Sequence, residues 1–259
     1  EIMDIVVISD KHNLVRRNHV VKIFGKKNLD FRFFDAVMGN RMSEKDVAAA
    51  ALENTFLSVG EIGCALSHRA VYDMFLQSDD NSLFICEDDI YFTPSFNMNI
   101  VSAVADFVEA SDEPRLVVLQ KSIYYHKKIK ELDMGICIYS ARNLFGAYGY
   151  ILNRTAADNI RHIQTPVRFE IDAFKFYYWL NACNLYCLDR YLILPAEKGF
   201  ESGEPMKSTI TKNWCSDRKK RKDRAYKELY NRLSLKGKML SQVRRLEKAI
   251  YKPFETLDY

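Results

Sequence analysis

Apolar residues recur along the chain with two periods, one typical of buried strands and one typical of helices that bury a single face. Apolar runs predict strands at residues 2–8, 29–37, 83–85, 116–119, 136–139, 145–152 and 185–194. Helical spacing predicts helices at residues 13–24, 47–52, 59–75, 93–109, 155–163 and 174–180. Because the two kinds of element alternate along the chain, we expect a layered α/β domain.

Three acidic residues, Glu87, Asp88 and Asp89, stand at the end of the apolar run 83–85. A buried strand that leads into adjacent acids directs them to the carboxyl edge of a sheet, where open α/β folds bind ligands. Oxygen-rich clusters suit hard divalent ions such as Mg²⁺ or Mn²⁺. The alternative is an acidic surface turn. Apolar residues 90–92 follow at once, which favours a metal or sugar-nucleotide site.

The helix expected at residues 59–75 has a clear start signal. Ser58 and Glu61 have the S-x-x-E form of a capping box. The residues after it are small and permit close packing; they are Gly63, Cys64, Ala65 and Ser67. Such packing would bring His68 near the acidic strand. Three roles are open for His68: a metal ligand, a donor to phosphate, or a buried histidine satisfied by the backbone.

Two later segments carry further candidate residues. Gly146 and Gly149 lie within a predicted strand, which indicates a bulge or a backbone that a ligand approaches closely; a bent edge strand is the alternative. Glu170 and Asp172 precede the aromatic helix at 174–180. An acid before a helix commonly serves as its N-cap.

Composition narrows the class of protein. With 259 residues and 48% hydrophobic residues, the chain is long enough for one large domain, with or without an appendage. The six cysteines form no C-x-x-C pair, which favours a reducing, cytoplasmic setting. No apolar stretch approaches the roughly 20 residues that span a bilayer, and no secretory signal pattern opens the chain. The absence of a G-x-G-x-x-G motif and of a P-loop disfavours dinucleotide and P-loop chemistry.

The net charge of +4 is unevenly distributed. Residues 207–252 hold 16 Lys or Arg against 4 Asp or Glu, whereas residues 1–206 carry a net charge of −6. Two basic amphipathic helices are expected in this tail, with Gly237 between them. Their apolar positions are Tyr226, Leu229, Tyr230 and Leu233, then Leu240, Val243, Leu246 and Ile250. The tail either binds an anionic partner, such as a membrane surface, or docks its apolar faces on the domain.

Four ordered motifs carry a resemblance to a known family. They are Val7-Ile8-Ser9 with Arg16-Arg17, the run 33–39, the run 60–68 that ends in Ser67-His68, and Cys86-Glu87-Asp88-Asp89-Ile90. Weaker matches occur at 147–152, 171–172 and 208–210. With these motifs the chain resembles glycosyltransferase family 25, the bacterial lipooligosaccharide galactosyltransferase group that also has collagen galactosyltransferase relatives. The resemblance covers about residues 5–210.

The resemblance implies a GT-A-like single nucleotide-sugar-binding domain over residues 1–210, followed by the basic helical tail at 211–259. It implies Mn²⁺-dependent (or Mg²⁺-dependent) inverting transfer of a hexose, typically galactose from UDP-galactose in β linkage, to a saccharide acceptor in lipooligosaccharide biosynthesis. Glucose or N-acetylglucosamine is an alternative donor sugar. A non-catalytic module that binds anionic membranes or nucleic acid is the alternative from another class.

The resemblance also assigns roles. Asp89 and Glu87 would hold the metal ion. The donor would be bound by Ser9, Arg16, Glu61, His68, Glu87, Asp88 and Gly146. Asp172 is the leading catalytic base and Glu170 the second choice; this region departs from the family, because Arg168 and Glu170 stand where relatives are more compact. We expect the protein in the cytoplasm, peripheral on the inner face of the bacterial inner membrane, with no nucleic-acid partner.

Overall fold

The computed structural model describes residues 3–122, 125–195 and 217–251. Its helices are α1 (Leu14–Gly25), α2 (Glu44–Ala50), α3 (Val59–Gln77), α4 (Met98–Glu109), α5 (Arg154–Ile163), α6 (Phe174–Trp179), α7 (Arg218–Arg232) and α8 (Leu235–Tyr251). Its strands are β1 (Asp4–Ser9), β2 (Arg32–Asp35), β3 (Ser82–Glu87), β4 (Ile90–Phe92), β5 (Arg115–Val118), β6 (Tyr125–Glu131), β7 (Cys137–Ala141), β8 (Gly149–Asn153), β9 (Asn184–Leu188) and β10 (Ile193–Pro195). The predicted alternation of strands and helices is confirmed.

Eight of the described strands form one mixed sheet in the order β2-β1-β3-β8-β5-β9-β7-β6. β1 runs parallel to β2 and to β3, and β8 lies antiparallel between β3 and β5. β4 and β10 pair separately as a short antiparallel ribbon. Because β1, β2 and β3 are parallel, their carboxyl ends meet at one edge of the sheet, the edge at which α/β folds place ligands.

Both faces of the sheet are covered, as expected for strands that are apolar on both sides. Val6 and Ile85 point to the face covered by α3, α5, α6 and α7. Val7 and Phe84 point to the opposite face, which α1 and α4 cover. The α/β class is therefore confirmed as a helix layer, a sheet and a second helix layer.

The structure differs from the predicted elements at three places, and at the first of them a residue bonds to a backbone group that is distant in sequence. α4 begins after Asn97 instead of at Thr93. The Thr93 hydroxyl donates to the Tyr191 carbonyl at 2.6 Å, and this bond holds the segment before α4 against the segment before β10 instead of in a helix. The single strand predicted at 185–194 is divided into β9 and β10, which belong to different sheets. β6 was not predicted, because most of its residues are polar or charged and exposed at a sheet edge.

The tail helices differ in how they contact the domain. On α7, Ala225 and Tyr226 are buried in the same hydrophobic core as residues of α3 and α6. The docking alternative is thus observed for α7. The break between α7 and α8 lies at Ser234 and not at Gly237, where the sequence predicts it. Gly237 lies inside α8, and its N–H donates to the Ser234 hydroxyl at 3.1 Å. The proposed domain boundary at residue 210 and the motif match at 208–210 lie outside the described residues.

α8 carries exposed apolar side chains. Leu235, Met239, Val243 and Leu246 recur at helical spacing on α8 and are exposed by 82, 73, 51 and 60%. Within residues 3–122, 125–195 and 217–251, no helix combines the length and the apolar character needed to cross a bilayer.

We predict that Tyr226→Ala lowers the free energy of unfolding by about 3 kcal/mol, because it empties a buried aromatic site against Phe176 and Trp179. Urea denaturation followed by circular dichroism measures the change. The control is Met239→Ala on the exposed face of α8, for which we expect a change below about 0.5 kcal/mol. Equal stability of the Tyr226 variant and the parent protein would show that α7 contributes nothing to the cooperative unit.

Candidate active site

A cavity of about 380 Å³ opens at the carboxyl ends of β1 and β3. Its wall is built from the end of β1, the start of α1, the loop 36–40 after β2, the first turns of α3, and the acidic residues 87–89. The parallel pairing of Ile8 with Glu87 brings Ser9 beside Asp88. The cavity therefore lies where the sequence placed the ligand site.

Close backbone packing forms one wall of the cavity. A Cβ atom on Gly63 would come within 2.5 Å of the Val37 carbonyl oxygen, and one on Gly39 would overlap the Val59 carbonyl. The Ser67 hydroxyl accepts the Val37 N–H at 2.8 Å and donates to the Gly63 carbonyl. The small residues predicted to permit close packing thus hold the loop after β2 against the start of α3.

Asp88 is enclosed by protein donors. The Ser9 hydroxyl donates to Asp88 Oδ2 at 2.7 Å, and Arg16 Nη1 donates to Asp88 Oδ1 at 2.6 Å. Asp88 itself is only 5% exposed. Three residues predicted to bind the donor are thus together, but here they bind one another. Because both carboxylate oxygens accept hydrogen bonds, Asp88 is placed to position Ser9 and Arg16.

The pKa of Asp89 lies well above that of an ordinary carboxyl group. Burial, reinforced by the neighbouring negative charge of Glu87, raises the pKa of Asp89 to about 7, although Arg16 opposes this shift. Arg16 Nη2 lies 3.2 Å from Asp89 Oδ2. One guanidinium therefore serves two aspartates while Glu87 stands beside them. Such a surplus of negative charge is favourable for a bound cation.

Glu87 faces two residues of α3. Its Oε1 lies 3.7 Å from His68 Nε2, and the Cys64 thiol donates to the same oxygen at 3.8 Å. His68 Nδ1 is hydrogen-bonded to the Tyr150 hydroxyl at 2.7 Å, which in turn pairs with the Tyr72 hydroxyl. Burial, and then the charge of Glu87, raises the pKa of Cys64 well above its ordinary value.

Glu61 and Glu170 are engaged by the tail. Glu61 forms the predicted capping box with Ser58, and its other oxygen accepts Arg218 Nη2 at 2.6 Å. Glu170 Oε1 accepts both Arg218 Nη2 and Lys222 Nζ, at 2.6 and 2.7 Å. Burial alone would raise the pKa of Glu170, but these cations hold it below its ordinary value. The two acids assigned to donor binding and catalysis are thus ion-paired to α7.

Asp172 lies on the α3 side of the sheet, half-buried. Its negative charge contributes to the raised pKa of Cys64 and of Tyr177, so its carboxylate lies within electrostatic reach of the cavity wall. The N-cap of α6 is Ala173, whose side chain makes no capping hydrogen bond. The N-cap alternative is therefore not observed for Asp172 or for Glu170. The catalytic role of Asp172 stays a prediction.

Gly146 precedes β8 with a φ of +77°, a conformation that favours glycine. A Cβ atom there would approach the Tyr148 ring to 2.4 Å. Among the residues that the structure describes, Gly146 is not part of the cavity wall. The local backbone conformation and the nearby Tyr148 ring therefore account for a glycine at this position. Donor binding by Gly146 stays a prediction.

Arg218 is the residue that sequence reasoning missed. It stands in a run of basic residues typical of a solvated or membrane-facing surface, and its partners Glu61 and Glu170 lie 157 and 48 positions away. Its guanidinium also donates to the Phe56 carbonyl at 3.0 Å. The one available signal was the uneven charge distribution, since the net charge of −6 on residues 1–206 favours ion pairs with the basic tail.

Comparison with known proteins adds independent information. The family model described as "Glycosyltransferase family 25 (LPS biosynthesis protein)" matches residues 3–175. A putative glycosyltransferase of Haemophilus influenzae is 39% identical over 89 residues, 33% of this chain and 32% of that protein. The lipooligosaccharide biosynthesis protein lic2B of the same species is 26% identical over 167 residues, 60% of each chain. The lacto-N-neotetraose biosynthesis glycosyltransferase LgtB of Neisseria gonorrhoeae is 24% identical over 178 residues, 65% of this chain and 60% of that protein.

These alignments leave part of each relative unmatched. The chain spans about a third of the first of these proteins and 60% of the other two. The family match itself covers β1 through the start of α6, and so contains the whole cavity wall.

We predict that Arg218→Met lowers the free energy of unfolding by about 2 kcal/mol, because it leaves Glu61 and Glu170 less neutralised in a largely buried cluster. Urea denaturation measures the loss. Arg221→Met is the matched control, since the side-chain contact of Arg221 among the described residues is an exposed one to the Thr55 carbonyl. We expect it to change stability by less than about 0.5 kcal/mol. If the two variants are equally stable, the ion cluster does not hold α7 in place.

Proposed function

The chain belongs to glycosyltransferase family 25, and from that premise we propose that it transfers galactose from UDP-galactose, with inversion and in β linkage, to a saccharide acceptor of lipooligosaccharide. The observation that carries this proposal is the cavity at the carboxyl ends of β1 and β3, with Glu87, Asp88, Asp89 and Arg16 in its wall. The name of lic2B supports a lipooligosaccharide-type acceptor, and the name of LgtB supports a saccharide acceptor. The GT-A-like fold implied by the resemblance agrees with the observed α/β sheet.

The residues present fit a divalent ion such as Mn²⁺ or Mg²⁺. Asp89 and Glu87 supply carboxylate oxygens beside a cavity, and the pKa of Asp89 is raised by burial and then by the negative charge of Glu87, which a cation would neutralise. When bound, the ion would stabilise negative charge that develops on the diphosphate leaving group. Asp88, which is held by Ser9 and Arg16, keeps the guanidinium at the cavity wall, where arginine is suited to pair with phosphate oxygens.

We assign the catalytic base to Asp172 and not to Glu170. A base must accept the proton of the acceptor hydroxyl, and a carboxylate whose pKa is lowered by ion pairs is a weaker base. Arg218 and Lys222 lower the pKa of Glu170 in this way. The assignment is supported by the negative charge of Asp172, which contributes to the raised pKa of Cys64, a residue of the cavity wall.

The binding-module alternative has less support. Nucleic-acid binding would need the cations at the start of α7, but Arg218 and Lys222 are already paired with Glu61 and Glu170. Galactose remains the proposed sugar, with glucose and N-acetylglucosamine as the donors to compare.

We further propose that α8 holds the protein to an anionic membrane, on the cytoplasmic face of the bacterial inner membrane. The exposed apolar row of α8 is accompanied by exposed Lys236 and Arg245. A helix with an apolar row and basic neighbours lies in the interface of an anionic bilayer. α8 is fixed to the catalytic domain by its own contacts, because Arg244 donates to the Tyr178 carbonyl at 2.7 Å and the Tyr178 hydroxyl donates to Glu247 at 2.8 Å.

For the transfer reaction we predict that Asp89→Asn reduces Mn²⁺-dependent release of UDP from UDP-galactose by at least about a hundredfold, with an unchanged circular dichroism spectrum. A coupled UDP assay with a lactose- or glucose-terminated acceptor measures it. Asp112→Asn, at an exposed loop position, is the matched control and should leave turnover unchanged. Undiminished turnover in the Asp89 variant would remove Asp89 from the metal site.

For the tail we predict that the double variant Met239→Glu, Val243→Glu loses most sedimentation with vesicles that contain anionic phospholipid, because it places two negative charges in the exposed row. The matched control is Val15→Glu, Val21→Glu on α1, where both valines are also exposed. This control should sediment like the parent protein. Equal sedimentation of both double variants would show that α8 is not the membrane-facing element.

A further inference from the structure

Three side chains at the inner end of the cavity offer sulfur, nitrogen and oxygen to one point. Cys64 and His68 lie one turn apart on α3, and Glu87 ends β3 opposite them. One ligand atom from each of the three lies within 4.8 Å of the others. Bonds of about 2.0–2.3 Å to a common ion place ligand atoms roughly 3–4 Å apart. The observed separations of 3.7 and 3.8 Å from Glu87 Oε1 are of this size.

His68 supplies a second, independent observation. The side chain is fully buried, and its Nε2 has no hydrogen-bond partner among the residues that the structure describes. A buried polar atom without a hydrogen-bond partner is destabilising. At 3.7 Å from Glu87 Oε1, Nε2 is too far for a direct hydrogen bond, yet it points to the space that Glu87 and Cys64 share.

The other ring nitrogen is held as in a metal-binding histidine. Nδ1 lies 2.7 Å from the Tyr150 hydroxyl, and that hydroxyl lies 2.5 Å from the Tyr72 hydroxyl. If Nδ1–H donates to Tyr150, the Tyr150 proton is donated to Tyr72, and Nε2 presents its lone pair. Histidine ligands commonly have their second nitrogen fixed by such an outer hydrogen bond, which sets the tautomer and the orientation of the ring.

We propose that Cys64 Sγ, His68 Nε2 and Glu87 Oε1 form the protein ligand set for a divalent transition-metal ion such as Co²⁺ or Zn²⁺. Sulfur and imidazole ligands suit these ions, whereas Mg²⁺ prefers oxygen alone. The Cys64 thiol gives its proton to solvent as the thiolate binds the ion. The inference deepens the proposed function, because Glu87 is also one of the two acids proposed above to hold a divalent ion. The use of the ion in transfer rests on the proposed function, whereas the binding of the ion does not.

The first test is a Co²⁺ titration of the whole purified protein in a phosphine reductant. We expect a near-ultraviolet charge-transfer band from thiolate to cobalt that saturates at one ion per chain. Competition with Zn²⁺ should remove the band, and a large excess of Mg²⁺ should not. A protein without the band, or with absorbance that grows without saturation, would overturn the proposal, since no thiolate then binds the metal.

The second test uses variants with the parent protein as reference. Cys64→Ser should abolish the charge-transfer band, and His68→Gln should weaken Co²⁺ binding at least about tenfold. Cys137→Ser is the matched control. The Cys137 thiol is also buried but donates to the Gly135 carbonyl on the far part of the sheet, so the band should persist. A band that persists in Cys64→Ser, or disappears in Cys137→Ser, contradicts the assignment.

Paired measurements separate this inference from the proposed function. Co²⁺ binding that depends on Cys64 and His68, without UDP release from any donor, would support the metal site and remove the transferase role. UDP release that needs Asp89, with Co²⁺ binding unaffected by Cys64→Ser and His68→Gln, would support the transferase and overturn the metal site. Circular dichroism of each variant identifies a loss of binding that comes from unfolding.

Discussion

The parallel pairing of β1 with β3 is the constraint on which the rest of the site depends. Its register sets Ile8 opposite Glu87, and so places Ser9 beside Asp88 at the edge of the sheet. A shift by one residue would turn the acids to the other face, because side chains alternate along a strand. The hydrogen bond from Ser9 to Asp88 and the ion pair of Asp88 with Arg16 follow from this register.

The start of α3 forms a wall of the cavity at that edge of the sheet. Gly39 and Gly63 allow the loop after β2 to touch the first turn of the helix, which any larger side chain would prevent. The same turn carries Glu61, which caps the helix and binds Arg218 of α7. Tail, helix start and cavity wall are therefore one connected unit, although they come from distant parts of the chain.

Features that depend on neighbouring residues could be predicted from the sequence, whereas contacts between residues far apart in the chain could not. The capping box at Ser58 and the acidic run after β3 depend on residues within a few positions of one another, so their patterns predicted the structure well. The beginning of α4 depends on a hydrogen bond from Thr93 to Tyr191, 98 positions away. The pairing of Arg218 with Glu61 spans 157 positions. No periodicity encodes such partners, and a basic run reads the same whether it faces solvent or a buried acid.

The partners of each acid separate structural carboxylates from those suited to a ligand. Asp88 is neutralised by Arg16, and Glu61 and Glu170 by cations of α7. In sequence these acids look like the others of the site. The Glu87 carboxylate contacts a thiol and a neighbouring imidazole, and Asp89 shares the guanidinium of Arg16 at a longer distance. Asp89 is largely buried and Glu87 is partly exposed, and their incompletely balanced charge is the physical reason for proposing a cation beside them.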